Sequence, residues 1–195
     1  MTVLLLGLVV FLGIHSVSIV APAWRDAQVA RRAAAWKGIY SVVSAIGLAL
    51  IVIGYGMARQ SPVVLWAPPV WSRHLALLLM VPAFVLLLAT YLPGRISMAT
   101  KHPMLLAVKI WATAHLLANG TVADLLLFGG FLAWAVVDRI SVKRRAGGAS
   151  GPPARPGKPM NDAIAVVGGL AVWALFVFGA HRWLFGVSPL PTLSA

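Results

Sequence analysis

The sequence predicts an all-α integral membrane protein, a bundle of about six transmembrane helices. Three observations carry that prediction. The chain of 195 residues is 61% hydrophobic and only 10% charged. Its mean hydropathy is +0.91, a value of membrane bundles rather than soluble domains. Long apolar stretches alternate with short basic segments along its whole length.

The first apolar stretch, Val3–Val20, has no Lys or Arg before it. It therefore lacks the basic start of a secretory signal and is expected to be a retained span. Trp24–Trp36 places apolar positions among Arg25, Arg31 and Arg32, the pattern of a short helix lying on a membrane surface. Ile39–Met57 is the second span. Ser61-Pro62 and Ala67-Pro68-Pro69 then make a stiff, extended loop before the third, Leu75–Leu92. A fourth stretch runs from Met104 to Leu117 and continues from Val122 to Val137, interrupted at Asn119-Gly120-Thr121. That tripeptide is a turn signal, so the stretch counts as two spans. The first of these is short, and His102-Pro103 and Ala118 are needed to bring it near the ~20 residues that cross a bilayer. Thr121 with Asp124 three residues on resembles a helix-capping box. Ala146–Pro159 is rich in Gly and Pro and predicts a flexible linker. Ala163–Phe185 is the last span. The expected organisation is a bundle of five spans over 1–145, a linker over 146–160, and a final span with a short tail over 161–195.

Charge sets the expected orientation. Twelve of the sixteen Lys and Arg fall in loops one, three and five, while Arg59, Arg73 and Arg182 lie on the opposite side and Lys109 inside a span. The positive-inside bias then places both termini in the periplasm of a bacterial inner membrane. The net charge of +12 does not imply nucleic acid, because the basic residues punctuate spans instead of lining a stacking surface. With no Cys, disulfides, thiolate nucleophiles and Fe–S clusters are excluded. Trp24, Trp36, Trp66, Trp71 and Trp183 sit near span ends, as interfacial rings do.

Ionisable groups within spans are costly and usually functional. His15 and His115 lie well inside different spans. Counted from Trp24 and from Pro103, their depths are roughly 14 Å and roughly 18 Å. Two neutral imidazoles facing each other are what six-coordinate haem iron requires; the alternative is two separate histidines, each satisfied by a backbone or hydroxyl group. Copper or zinc would want further ligands, and no carboxylate or thiol lies at that depth. His102 falls at an interface just before a helix-starting Pro. Lys109 shares its face seven residues later, and either snorkels to headgroups or serves as a counter-ion to a propionate or anionic substrate. No Gly-x-Ser-x-Gly turn or phosphate-binding glycine loop occurs, so no catalytic residue is identified.

Several punctuated segments carry a resemblance: Gly13-Ile14-His15-Ser16, Trp24-Arg25-Asp26, Gly54-Tyr55-Gly56, Arg73-His74-Leu75, Tyr91-Leu92-Pro93-Gly94, Lys101-His102-Pro103-Met104, Lys109-Ile110-Trp111, Ala114-His115-Leu116, Ala118-Asn119-Gly120-Thr121 and Asp138-Arg139. Together they resemble the NnrU family of bacterial membrane proteins over roughly residues 1–145. That family is similar to 15-cis-zeta-carotene isomerase, a resemblance carried by His15-Ser16, His102-Pro103, Trp111 with Ala114-His115, and Ala133-Trp134 with Asp138-Arg139. The resemblance implies a b-type haem held between His15 and His115, with His102, Lys109 and Trp111 near it. It also implies an apolar polyene or isoprenoid-like substrate drawn from the lipid, and a cis–trans isomerisation or related redox-gated step. One departure weakens the analogy of mechanism: Ala112 stands where the isomerase has a cysteine, so a thiolate ligand exchange is impossible here. The family name also associates it with nitrite and nitric oxide respiration, which implies a non-enzymatic accessory to respiratory enzymes as the alternative. A small-molecule carrier is the third possibility.

Overall fold

A computed structural model describes residues 1–145 and 157–190. Helix α1, Thr2–Val20, is followed after a break at Ala21 by α2, Pro22–Ala58, whose 37 residues are interrupted at Arg32 (φ −146°, ψ 56°). The remaining elements are α3 (Val70–Ala89), the short α4 (Arg95–Thr100), α5 (Pro103–Ala118), α6 (Val122–Arg145) and α7 (Pro159–Leu175), which runs through a π-helical turn, Phe176–Ala180, into α8 (His181–Phe185). Five helical segments are long and apolar enough to cross a membrane, and α5, at 16 residues, is a shorter apolar sixth. At ~1.5 Å per residue α5 is about 24 Å long, just under the hydrocarbon thickness. The six-span bundle expected from the sequence is the fold found. Most of the linker expected over 146–160 lies outside the described residues, and the last helix begins within it, at Pro159.

The bundle packs α1 against α2 and α6, and α3 against α5 and α7, with α5 and α6 joining the two groups. Leu4, Leu8, Ile51, Ala112, Ala123, Leu127 and Phe128 form its buried centre. Glycines set the tightest crossing. A Cβ on Gly54 would stand 2.3 Å from the backbone nitrogen of Leu4, and one on Gly47 would stand 2.7 Å from that of Phe11. Gly169 plays the same part for α7 against Val85, whereas Gly129 and Gly130 have ordinary clearance.

The ends of the bundle differ. At one end the loop after α2 pairs with the α5–α6 turn: Leu65 donates to the Gly120 carbonyl at 2.8 Å, and Val122 donates to Val63 at 2.9 Å. The capping box is present there. The Asp124 carboxylate accepts from Thr121 N–H at 2.9 Å and from the Thr121 hydroxyl at 2.6 Å, and the Tyr55 hydroxyl of α2 donates to its other oxygen at 2.5 Å. The other end, here the basic end, gathers the start of α2, the region of α4, the end of α6 and the start of α7. Asp162 of α7 accepts from the backbone N–H groups of Arg95 and Ile96, capping α4 across the bundle, and Asn161 donates to the Pro93 carbonyl.

Candidate functional site

His15 sits in the third quarter of α1 and faces the first half of α2. Its Nδ1 lies 2.7 Å from the Phe11 carbonyl one turn back. With that nitrogen as donor, Nε2 keeps its lone pair and is available to a ligand. The ring stacks on Phe11 at 4.2 Å and meets Tyr40 at 5.1 Å and the edge of Trp134 at 5.9 Å. Beside it, a cleft of about 390 Å³ opens between α1 and the two arms of α2, bounded by Ser18, Arg25, Trp36, Lys37 and Tyr40. The break at Arg32 separates the two arms of α2 that line this cleft. Arg25 also pairs with Asp26 at 2.7 Å.

His115 is four residues from the end of α5 and faces α6. Its Nδ1 lies 2.8 Å from the Trp111 carbonyl, and its ring stacks on Phe128 at 4.5 Å. The two histidines thus have the same local device, but they do not form a pair. They are joined by a file of aromatic rings in which Phe11 contacts Phe131 at 5.6 Å, Phe131 contacts Trp111 at 5.5 Å, and Trp111 contacts His115 at 5.2 Å. Helix α6 serves as a ruler: His115 meets Phe128 and His15 meets Trp134, six residues on, or about 9 Å along the axis. The comparable depth expected from the sequence is therefore corrected. Counting from Trp24 overstated the depth of His15, since α1 ends at Val20 and Trp24 already belongs to the next helix.

The other expected site residues fall around this file. Trp111 is its centre and also lines a second, wholly apolar crevice of about 190 Å³ between α3 and α5, with Met80, Phe84 and Leu87. Lys109 is half-buried and makes no hydrogen bond or ion pair with the described residues. His102 caps the start of α5 at the basic end, where burial and the Arg139 guanidinium push its imidazole below the usual histidine range, against a smaller opposite pull from Asp138. His74 and His181 bond to nearby carbonyls, of Val70 and Val187. Among the described residues no group of three or more His, Cys, Asp or Glu is arranged to hold a metal ion.

Only the His15 side holds groups of the kind a b-type haem would need. The surroundings of His15 supply a free imidazole nitrogen, two cations suited to carboxylates, and flat aromatic walls. The surroundings of His115 do not complete a facing pair, because Phe11, Phe131 and Trp111 stand between the two imidazoles. Sequence reasoning missed Tyr40 and Lys37 as neighbours of His15, and it quoted the polar group at the end of α6 only as part of a resemblance, without a role. There Trp134 and Asp138 lie one turn apart, and their i, i+4 spacing inside an apolar run is the signal that could have revealed them.

The sequence model of the family described as NnrU protein matches residues 3–189. No curated protein and no solved structure matches the chain.

Proposed function

The chain belongs to the NnrU family, and we propose that this member is a membrane protein binding b-type haem in the cleft beside His15. The observation that supports this reading is the union, in one opening of about 390 Å³, of His15 with Arg25 and Lys37. The Phe11 carbonyl orients the imidazole so that Nε2 faces a ligand, the arrangement usual for a metal-bound histidine. Arg25 and Lys37 line the same cleft and would hold the carboxylates of such a group, for which guanidinium and ammonium are natural partners. When bound, the haem would supply a one-electron redox centre.

An apolar substrate of polyene or isoprenoid-like form belongs to the same proposal, and one crevice supports it. The crevice between α3 and α5 is lined by Met80, Ala83, Phe84, Leu87, Ala107, Val108 and Trp111. It offers an apolar chain van der Waals partners and no polar group to desolvate. Trp111 belongs both to this crevice and to the aromatic file leading to His15. In this reading the basic end faces the cytoplasm of a bacterial inner membrane, with both termini periplasmic.

The test is an optical spectrum of the full chain purified from haem-replete cells. A Soret band with reduced α and β bands is expected, and His15→Ala should abolish it. His115→Ala separates the two modes of ligation: retention of the band fits the cleft, and its loss means that the aromatic file repacks to admit a second imidazole. A colourless wild-type protein refutes the proposal and leaves the accessory or carrier role to account for the chain.

A further inference from the structure

The C-terminal part of α6 concentrates buried polar atoms without a hydrogen-bond partner among the described residues. Trp134 Nε1, Asp138 Oδ1 and Arg139 Nη1 from α6, together with His102 Nε2 at the head of α5, are closed off from solvent and lack hydrogen-bond partners. They belong to one neighbourhood. His102 heads α5, Asp138 and Arg139 lie near the end of α6, and these two helices pack against each other across the turn at 119–121, which brings the three to one end of the bundle. Trp134 meets His15 edge-on. The meeting point of α1, α2, α5 and α6 at the basic end is therefore lined with unused donors and acceptors. Each such orphan costs about 1–3 kcal/mol, and native interiors tolerate few of them without a ligand or ordered water.

The chemistry of the set is lopsided. Indole Nε1 and guanidinium Nη1 can only donate, while His102 Nε2 can take either role. Asp138 is the one carboxylate, and Arg145 holds it in an ion pair at 3.7 Å. Arg139 is then the cation left over, and the group carries one net positive charge. Obligate donors with a surplus cation call for an anionic acceptor. A phosphoryl group, with three or more acceptor oxygens, can accept from an indole, a guanidinium and an imidazole at once, which the two oxygens of a carboxylate do less readily.

We propose that this neighbourhood is a phosphoryl-oxyanion site, in which Arg139 and Trp134 donate to the phosphoryl oxygens and His102 supplies a third hydrogen bond. It lies beside the His15 cleft but does not depend on haem binding there. Free phosphate or a phosphate ester and a phospholipid headgroup present the same chemistry, so the experiment distinguishes them.

The full chain in a maltoside detergent, free of phosphate, is heated with inorganic phosphate at ionic strength held constant by chloride. In parallel it is supplied with phosphatidylglycerol or with a phosphate-free glycolipid. Stabilisation by inorganic phosphate identifies a soluble ligand; stabilisation by phosphatidylglycerol alone, and not by glycolipid, identifies a headgroup. In either case Arg139→Gln should weaken the effective ligand about tenfold or more, the loss of a charge-assisted bond. Trp134→Phe, which keeps an aromatic edge against His15, should weaken it roughly threefold, as loss of one neutral bond does. Asp138→Asn should tighten it, because the change removes a repelling charge and releases Arg145. The melting temperature of each variant without ligand reports whether it folds, and Arg139→Lys keeps the charge should Arg139→Gln fail. The proposal is overturned if neither phosphate source stabilises beyond its control. It is equally overturned if folded Arg139 and Trp134 variants bind as the wild type does, or if Asp138→Asn weakens binding.

Discussion

Replacing Asp124 with Ala should destabilise the bundle more than any other single change to its few acidic residues. Asp124 is 4% exposed and accepts three hydrogen bonds, from Thr121 N–H, the Thr121 hydroxyl and the Tyr55 hydroxyl 69 residues away. Hydrogen bonds to a charged group are worth about 1.5–3 kcal/mol each, and a carboxylate in the first turn of a helix gains about 0.3–1 kcal/mol more from the dipole. The whole sum does not apply, because the Thr121 groups lie at a helix start and can turn to other acceptors. The half-buried Tyr55 hydroxyl cannot do so as readily. A net loss of about 3 kcal/mol is therefore expected, which corresponds to roughly 6–12 °C in melting temperature for a chain of this size. Tryptophan fluorescence or near-UV circular dichroism in detergent, at a fixed heating rate, measures it. Tyr55→Phe alone should cost about 1–2 kcal/mol, since Asp124 keeps its Thr121 bonds. In the double mutant the two effects should fall short of additivity by about 1 kcal/mol or more, as for groups in direct contact. A shift below about 2 °C for Asp124→Ala, or strict additivity, would show that this contact does not tie α2 to α6.

Four further outcomes follow from particular residues. Asp162→Ala removes acceptors from Arg95 and Ile96 N–H, so hydrogen exchange in α4 should accelerate by about tenfold, while exchange in α6 stays unchanged. Gly54→Val should drive α1 off α2 and abolish the folded protein in detergent, because the new Cβ would meet the Leu4 backbone at 2.3 Å; Gly56→Ala, in open space, should be silent by the same assay. Because the folded-state pKa of His102 is lowered, its neutral form contributes stability that is complete above the ordinary value of 6.5 and is lost as pH falls from there to the folded value. Wild-type melting temperature should therefore decline over that window more steeply than that of His102→Gln. Lys109→Met should leave melting temperature and any haem spectrum unchanged, since the stem keeps its packing and the ammonium has no partner among the described residues.

What could be read in the sequence was local, and what escaped it was long-range. The Asn119-Gly120 break needed no tertiary knowledge, because the turn chemistry is written in consecutive residues, and α5 indeed ends at Ala118 with α6 starting at Val122. The Thr121–Asp124 box was legible for the same reason. The arm between Trp24 and Trp36 was legible as helix, but its junction was not: the helix runs on into the second span, and only the break at Arg32 marks the change of direction. No periodicity could have told that Asp162 caps a helix 66 residues earlier, or that Tyr55 reaches Asp124. Those contacts depend on which helices become neighbours. The depth of His15 failed for a related reason. A linear count assumes that a span ends where its aromatic belt appears, and here the chain turns back at Ala21 before reaching Trp24.

The two ends of the bundle make an internal control for where chemistry resides. At the end of Asp124 the polar groups close upon one another: the carboxylate is saturated, Asn119 donates to the His115 carbonyl, and the loop after α2 completes the turn with backbone bonds. This is what stability alone would produce, since in a low-dielectric interior an unmet donor is more costly than at a wet surface. At the basic end Trp134 Nε1, Arg139 Nη1 and His102 Nε2 have no hydrogen-bond partner among the described residues, and Trp134 meets His15, which borders the cleft. The anion site proposed above would account for that difference. His115, stacked among aromatic rings with its Nδ1 bonded, has surroundings that serve packing. His15 and His102, alike in residue type, border the groups left open, so changes at those two should alter ligand binding, whereas changes at Asp124 and Tyr55 should alter stability.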